Sequence, residues 1–206
     1  MALILTIAQQ KGGAGKTMLA ANLAAAWAPR HRVTLLDIDP QRSLSRWHKL
    51  RTPGLAPIGF SDVSGWRLRG ELDRLATSAD ILIVDTPPQI DSDSAGAVRA
   101  AALVLIPVQP SMPDLWATEG TVKLATAERR RVALVLNRSP ARSALRSVVE
   151  STFTKAGLPL LPTVLGDRRG FAQAFARGMG VSEASPRSVA ATELSALADA
   201  ILEITR

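Results

Sequence analysis

Hydrophobic positions come in blocks along this chain. Short runs recur at residues 2–8, 33–36, 58–63, 81–84, 103–106, 132–136 and 158–161, nearly unbroken in their apolar character except at 58–63, where Gly59, Ser61 and Asp62 interrupt it and leave room for a short strand at most. Runs this short, rich in Val, Ile and Leu, suit strands buried on both faces. Between them lie longer stretches with helical spacing at 17–28, 43–50, 65–76, 94–101, 115–130, 143–156, 167–177 and 188–205, with Ser43 placed to cap the second. Strand and helix therefore alternate from end to end. The pattern predicts an α/β fold, a doubly wound, mostly parallel β-sheet with helices on both faces. No repeat, low-complexity tract or linker divides the 206 residues, so 1–206 is expected to be one domain.

Ligands of such sheets sit at the carboxyl ends of the strands. The polar residues that close the apolar runs are thus the first candidates. The first run leads into Lys11-Gly12-Gly13-Ala14-Gly15-Lys16-Thr17, the second into Asp37 and Asp39, the fourth into Asp85 and the sixth into Asn137. Glycines between a strand and a helix let the backbone curl with its N–H groups inward, and the helix terminus adds positive potential. That is a phosphate-binding P-loop, and the fold class sharpens to a P-loop NTPase. Lys16 is placed to reach terminal phosphates, and the Thr17 hydroxyl to ligate Mg²⁺. Gln10 stands where the common spacing has its first glycine. Lys11 is an additional lysine and, on the residues alone, a solvated loop residue.

Asp85 ends an apolar run, the Walker B arrangement, and is expected to hold Mg²⁺ through water. Asp37 and Asp39 point to one side if the backbone stays extended. A carboxylate there orients the attacking water or holds a metal-bound one; the bland alternative is an Asp-Pro turn.

Composition narrows the setting. With 47% hydrophobic and 21% charged residues the chain is an ordinary globular α/β protein. No apolar run approaches the roughly 20 residues needed to span a bilayer, and the N-terminus lacks a basic signal-like region. Cysteine is absent, which excludes disulfides and thiolate metal sites. A cytoplasmic protein is expected. The net charge of +7 is uneven: residues 129–177 hold ten Lys/Arg against Glu150 and Asp167, a local +8 that leaves −1 elsewhere. This points to a polyanionic partner, nucleic acid or anionic membrane, or simply to a solvated surface in a chain with twenty Arg and five Lys. Trp47, Trp66 and Trp116 suit either base stacking or, the favoured expectation, core packing.

The segments Lys11 to Thr17, Asp37-Ile38-Asp39-Pro40-Gln41, Ile83-Val84-Asp85-Thr86-Pro87-Pro88 and Ile106-Pro107-Val108-Gln109-Pro110 occur in the order found in ParA proteins. Over nearly its whole length the chain resembles the ParA/MinD family of deviant Walker A ATPases, in particular the small ParA class. The resemblance implies ATP and Mg²⁺ as cofactors and an ATP-dependent sandwich dimer, with Lys11 reaching across to the partner's nucleotide beside Lys16 acting on its own. It implies Asp39 as the water-positioning and water-mediated metal residue, Asp37 as a neighbouring switch carboxylate and Asn137 as the adenine contact. Residues from Pro110 to Asp114 would line the nucleotide and dimer interface. Met18 stands where the family usually has a second threonine.

It further implies non-specific DNA binding and a ParB-like or other adaptor that stimulates hydrolysis. The cargo would be a plasmid, a chromosomal locus or a protein assembly, and the protein cytoplasmic and nucleoid-associated. The candidate DNA contacts are Arg142 and Arg146, four residues apart on one expected helix face, and Arg168 and Arg169 at the start of another. Two rivals are a MinD-like membrane-associated positioning ATPase and a cobyrinic acid synthase-type enzyme on the same fold. Membrane binding is disfavoured, because the terminal stripe Leu194, Leu197, Ile201 and Leu202 faces acidic Glu193, Asp199 and Glu203 and is expected to dock on the sheet.

Overall fold

The computed structural model describes residues 2–89, 91–142 and 144–206. The seven apolar runs form β1 (Leu3–Ile7), β2 (Val33–Asp37), β3 (Gly59–Ser61), β4 (Ile81–Asp85), β5 (Leu103–Val108), β6 (Arg131–Ser139) and β7 (Leu160–Gly166). They make one sheet in the order β3-β2-β4-β1-β5-β6-β7, and every pairing among the described residues is parallel.

Alternation along the strands sorts the core into two faces. Leu5, Ile7, Leu35, Ile83, Leu105 and Val135 pack with α1 (Lys16–Trp27), α2 (Ser43–Lys49) and α9 (Val189–Thr205). On the other face Leu36, Leu82 and Val84 meet α3 (Leu68–Ser78), while Val104, Ile106 and Leu136 join α4 (Ser92–Ala100), α5 (Met112–Ala127) and α6 (Ala144–Lys155). The stripe on α9 docks as expected: Leu194, Leu197 and Ile201 are fully buried and packed on the first of these faces. Among the described residues, no helix is long and apolar enough to cross a membrane.

Several local expectations need correction. The stretch 65–76 begins as a 3-10 turn, Gly65–Arg67, before α3 proper. Strand β7 runs on to Gly166, well past the expected 158–161. After α7 (Arg169–Phe175) comes a single-turn helix α8 (Val181–Ala184), too short to leave a periodic signal. Ser43 does not cap α2; the cap position is Arg42, in a left-handed conformation with φ 54°. The expected start of the sixth helix at residue 143 lies outside the described residues. Arg142 precedes α6, so it shares no helix face with Arg146.

Of the three tryptophans, only Trp47 joins the core. Trp66 and Trp116 are 91% and 62% exposed. Neither lies on a buried face: Trp66 belongs to the 3-10 turn, and Trp116 occupies an outward position of α5.

Candidate nucleotide-binding site

Strand register puts the polar strand ends side by side. Ile7 pairs with Asp85 across β1 and β4, and Asp85 with Asp37 across β4 and β2. The loop leaving β1 therefore opens beside both aspartates.

The loop's shape is set by its glycines. Gly13 and Gly15 have φ of 79° and 96°, the left-handed region that glycine enters without strain. A Cβ on Gly15 would also lie 2.4 Å from the Asn137 amide nitrogen, so this position tolerates nothing larger. Gly15 is the N-cap of α1 and offers no side-chain acceptor to the first-turn N–H groups. Those donors, and the dipole behind them, are left for an anion.

The loop is braced from outside. Asn137 Nδ2 donates to Ala14 O at 2.8 Å, Gln109 Nε2 to Gly13 O at 2.9 Å, and the Arg138 guanidinium to Gly13 O at 3.2 Å. Gln10, in place of the usual first glycine, lays its amide against the bare Cα of Gly120 on α5, in the space a side chain there would take.

The two lysines are already separated. Lys16 Nζ sits inside the loop on Gln9 O at 3.0 Å, and burial lowers its pKa against the raising effects of Asp85 and Asp39. Lys11 turns away and pairs with Asp114 on α5. Asp114 is fully buried and also accepts from Ser111 Oγ at 2.5 Å and Gln109 N at 3.2 Å. The lysine is thus clamped to the first turn of α5, whose N-cap is Ser111.

The aspartates divide their work. Asp37 is buried, its two oxygens accepting from Asp39 N at 3.1 Å and Ser45 N at 2.9 Å, so it caps α2 from outside the helix. Burial raises its pKa and those bonds resist the rise. Asp37 is thus spent on the backbone around it, whereas Asp39 is only partly buried. Asp39 accepts from Gln41 N at 2.9 Å and lines the cleft over the loop together with Lys16 and Thr17.

Asp85 differs from both. It is fully buried, and neither carboxylate oxygen has a hydrogen bond of ordinary geometry. Burial pushes its pKa up to about 8, opposed chiefly by the neighbouring Thr17 hydroxyl and by Lys16. An orphaned carboxylate beside a threonine hydroxyl and a phosphate loop is the donor set that suits Mg²⁺, which favours one or two protein oxygens plus phosphates and water. Among the described residues no three acidic or histidine side chains gather to cage a metal without phosphate. A bound Mg²⁺ would supply charge neutralisation for phosphoryl transfer; Thr17 and Asp85 are the residues placed to hold it.

Two cavities adjoin. The cleft over the loop, about 370 Å³, meets one of about 660 Å³ at Met18 and Arg138. The larger is lined by Asn22, Asn137, Arg169, Phe171 and Leu194 and has room for a nucleoside. Arg138 was missed by the sequence reading. Its signal is faint, a charged residue following the polar end of a buried strand, here in a left-handed conformation with φ 48°.

Of the four arginines expected on DNA, two have acidic partners. Arg146 pairs with Glu150 at 2.7 Å and Arg168 with Glu193 at 2.5 Å. Arg142 is exposed without a salt bridge among the described residues, and Arg169 lines the larger cavity.

Comparison with known proteins agrees with this geometry. The family described as CobQ/CobB/MinD/ParA nucleotide binding domain matches residues 5–181. The chain is 31% identical over 201 residues to the maintenance of carboxysome distribution protein A of Halothiobacillus neapolitanus, covering 93% of this chain and 92% of that protein. It is 33% identical to the protein of the same name from Gloeobacter kilaueensis, covering 86% and 83% respectively. Among solved structures, the cell division ATPase MinD of Pyrococcus furiosus superposes with a TM-score of 0.84 at 20% identity, covering 99% of this chain and all of that one.

Proposed function

The chain belongs to the ParA/MinD family of P-loop ATPases, and from that premise we propose that it positions a cellular cargo by an ATP-timed cycle of dimerisation on DNA. It is an ATPase that uses ATP and Mg²⁺. In the proposed cycle two ATP-bound copies close face to face, and the dimer holds DNA without sequence preference. A ParB-like or other adaptor carried by the cargo then stimulates hydrolysis and releases it. Asp39 positions the attacking water, Asn137 contacts adenine, and Asp85 and Thr17 serve the metal.

One observation carries the dimer reading: Lys11 is kept out of its own loop. With Lys16 occupying the loop interior, a second cation held on Asp114 at the rim is free for a partner's nucleotide once that clamp opens. The names of the two relatives, both for carboxysome distribution, favour a protein assembly over a plasmid or chromosomal locus as cargo. The docked α9 stripe speaks against the membrane alternative, and the proposed cycle on DNA implies a cytoplasmic, nucleoid-associated protein.

The test is a mobility shift of a random-sequence duplex with ATP, with ADP and without nucleotide, beside light scattering of the same samples. The expected result is a dimer that shifts DNA with ATP alone. A monomer in all three states, or a shift indifferent to nucleotide, overturns the reading. A cobyrinic acid synthase-type enzyme would bind nucleotide and leave the duplex unshifted.

A further inference from the structure

Trp66 stands 91% exposed, yet its turn is built rather than loose. Gly65, at φ 69°, donates its N–H to the Asp93 carboxylate on α4 at 2.6 Å, which fastens the turn across to the neighbouring helix. The Arg67 guanidinium lies 5.8 Å from the indole centroid. Beside the indole, α3 and α4 border a groove of about 630 Å³. Its floor is apolar, made of Leu68, Leu72, Gly96 and Ala100, and a Cβ on Gly96 would meet nothing nearer than Leu68 at 3.7 Å.

The rim is cationic. Arg69, Arg99 and Arg130 line it; Arg99 pairs with Glu128 at 2.7 Å, while Arg69 and Arg130 make no salt bridge among the described residues. Of the two carboxylates there, Asp93 is occupied by Gly65, which leaves Asp73. An apolar lining flanked by an exposed indole and edged by the unpaired Arg69 and Arg130 matches one chemistry, an acidic segment carrying an apolar anchor. Duplex DNA presents phosphates but nothing to fill the floor.

We propose that this groove binds an acidic peptide segment that inserts an aromatic or leucine side chain between α3 and α4. The groove also has a route to the nucleotide site. Helix α4 begins a few residues beyond Asp85, and Thr6 on β1 donates to the α4 carbonyl of Ala97 at 2.9 Å. A ligand on α4 thus leans on both the strand that feeds the phosphate loop and the loop that follows Asp85. As the docking place of the adaptor, the groove rests on the adaptor-driven reading above.

The experiment uses the full chain carrying Trp116→Phe, which leaves Trp66 as its one exposed indole because Trp27 and Trp47 are buried. A random peptide library displayed on phage is panned against it with ATP, and the most enriched peptide is synthesised as the probe. Acidic residues around a Trp, Phe or Leu should be enriched, and titration should shift Trp66 emission to the blue. Trp66→Ala and the pair Arg69→Glu/Arg130→Glu should each weaken the probe about tenfold or more. ATP binding and the thermal melt should be unchanged, since all three residues are exposed. Enrichment of neutral or basic peptides, no enrichment, or affinity indifferent to either variant overturns the proposal. So does a charge reversal that abolishes duplex binding while sparing the peptide. Peptide binding in a chain that never dimerises with ATP would sink the adaptor reading and leave the groove standing; normal ATP-dependent dimers that bind no peptide would do the reverse.

Discussion

The loop at residues 9–17 and the basic segment at 129–177 each concentrate polar chemistry in the sequence, and the fold treats them in opposite ways. In the loop each charge and brace is given a fixed place: Lys16 on Gln9 O, Lys11 on Asp114, and Asn137 on Ala14 O. In the basic segment, strand β6 pulls neighbours apart. Arg131 begins it, Arg138 lies at its far end over the loop, and Arg146 and Arg168 are taken up by Glu150 and Glu193. Glycines and spacing act on the backbone and so define positions; a charge count defines only a total.

The largest expected effects fall in the loop. Lys16→Ala should weaken ATP binding about a hundredfold or more by calorimetry, because it removes the buried cation that faces the phosphates. Gly15→Ala should do comparable harm with no change of charge, since φ 96° and the Asn137 amide both exclude a Cβ. In the other region Arg146→Ala should leave ATP affinity unaltered. If Gly15→Ala binds ATP normally, the claim that backbone geometry governs the loop is lost.

The same contrast explains what could be read in advance. The inner strands β1, β2, β4, β5 and β6 and the polar ends of four of them were legible, because burial on both faces writes continuous apolar runs; the outer strands β3, with its exposed Gly59, and β7, half-buried along its length, left a weaker pattern. The capping by Asp37, the Lys11–Asp114 clamp and the Arg138 brace were not. Each joins residues far apart in sequence or depends on a left-handed residue that is not glycine, and no local spacing records either. Trp66 and Trp116 misled for a related reason: an indole is apolar wherever it lies, and only the surrounding helix faces decide its burial.

Asp85→Asn should produce the next largest effect, on stability. Its carboxyl shifts from an ordinary 3.8 to about 8 on burial. The metal-free folded chain then keeps a proton that the unfolded chain releases above pH ~4, so this contribution to stability is full at low pH and is lost as pH rises toward about 8. The asparagine variant keeps the neutral shape and should flatten that slope, gaining on the order of a few kcal/mol over the parent near pH ~8 in chelator. Urea unfolding at both ends of the window measures it; parallel slopes in the two proteins would contradict the assignment.

The Lys11–Asp114 clamp should matter less. Lys11 is 34% exposed and partly screened, whereas Asp114 is buried. A double-mutant cycle with Lys11→Ala and Asp114→Asn, read by urea unfolding without nucleotide, should give a coupling of about 1–2 kcal/mol. A coupling near zero would mean that the clamp does not hold in solution, and the separation of the two lysines would weaken with it.

The smallest effect sharpens the comparison most directly. Arg142→Ala and Arg131→Ala remove the same charge from the same basic segment. Arg142 is exposed just beyond the carboxyl end of β6, near the nucleotide edge, and Arg131 is exposed at the opposite end of that strand. If the ATP-bound dimer lays its nucleotide edge near DNA, Arg142→Ala should weaken duplex binding a few-fold and reduce the salt slope by about one, while Arg131→Ala should change neither. Equal losses from both would mean that the total charge attracts DNA irrespective of place. In that case the basic segment acts as a diffuse field, and the search for a defined DNA face on this edge of the sheet should end.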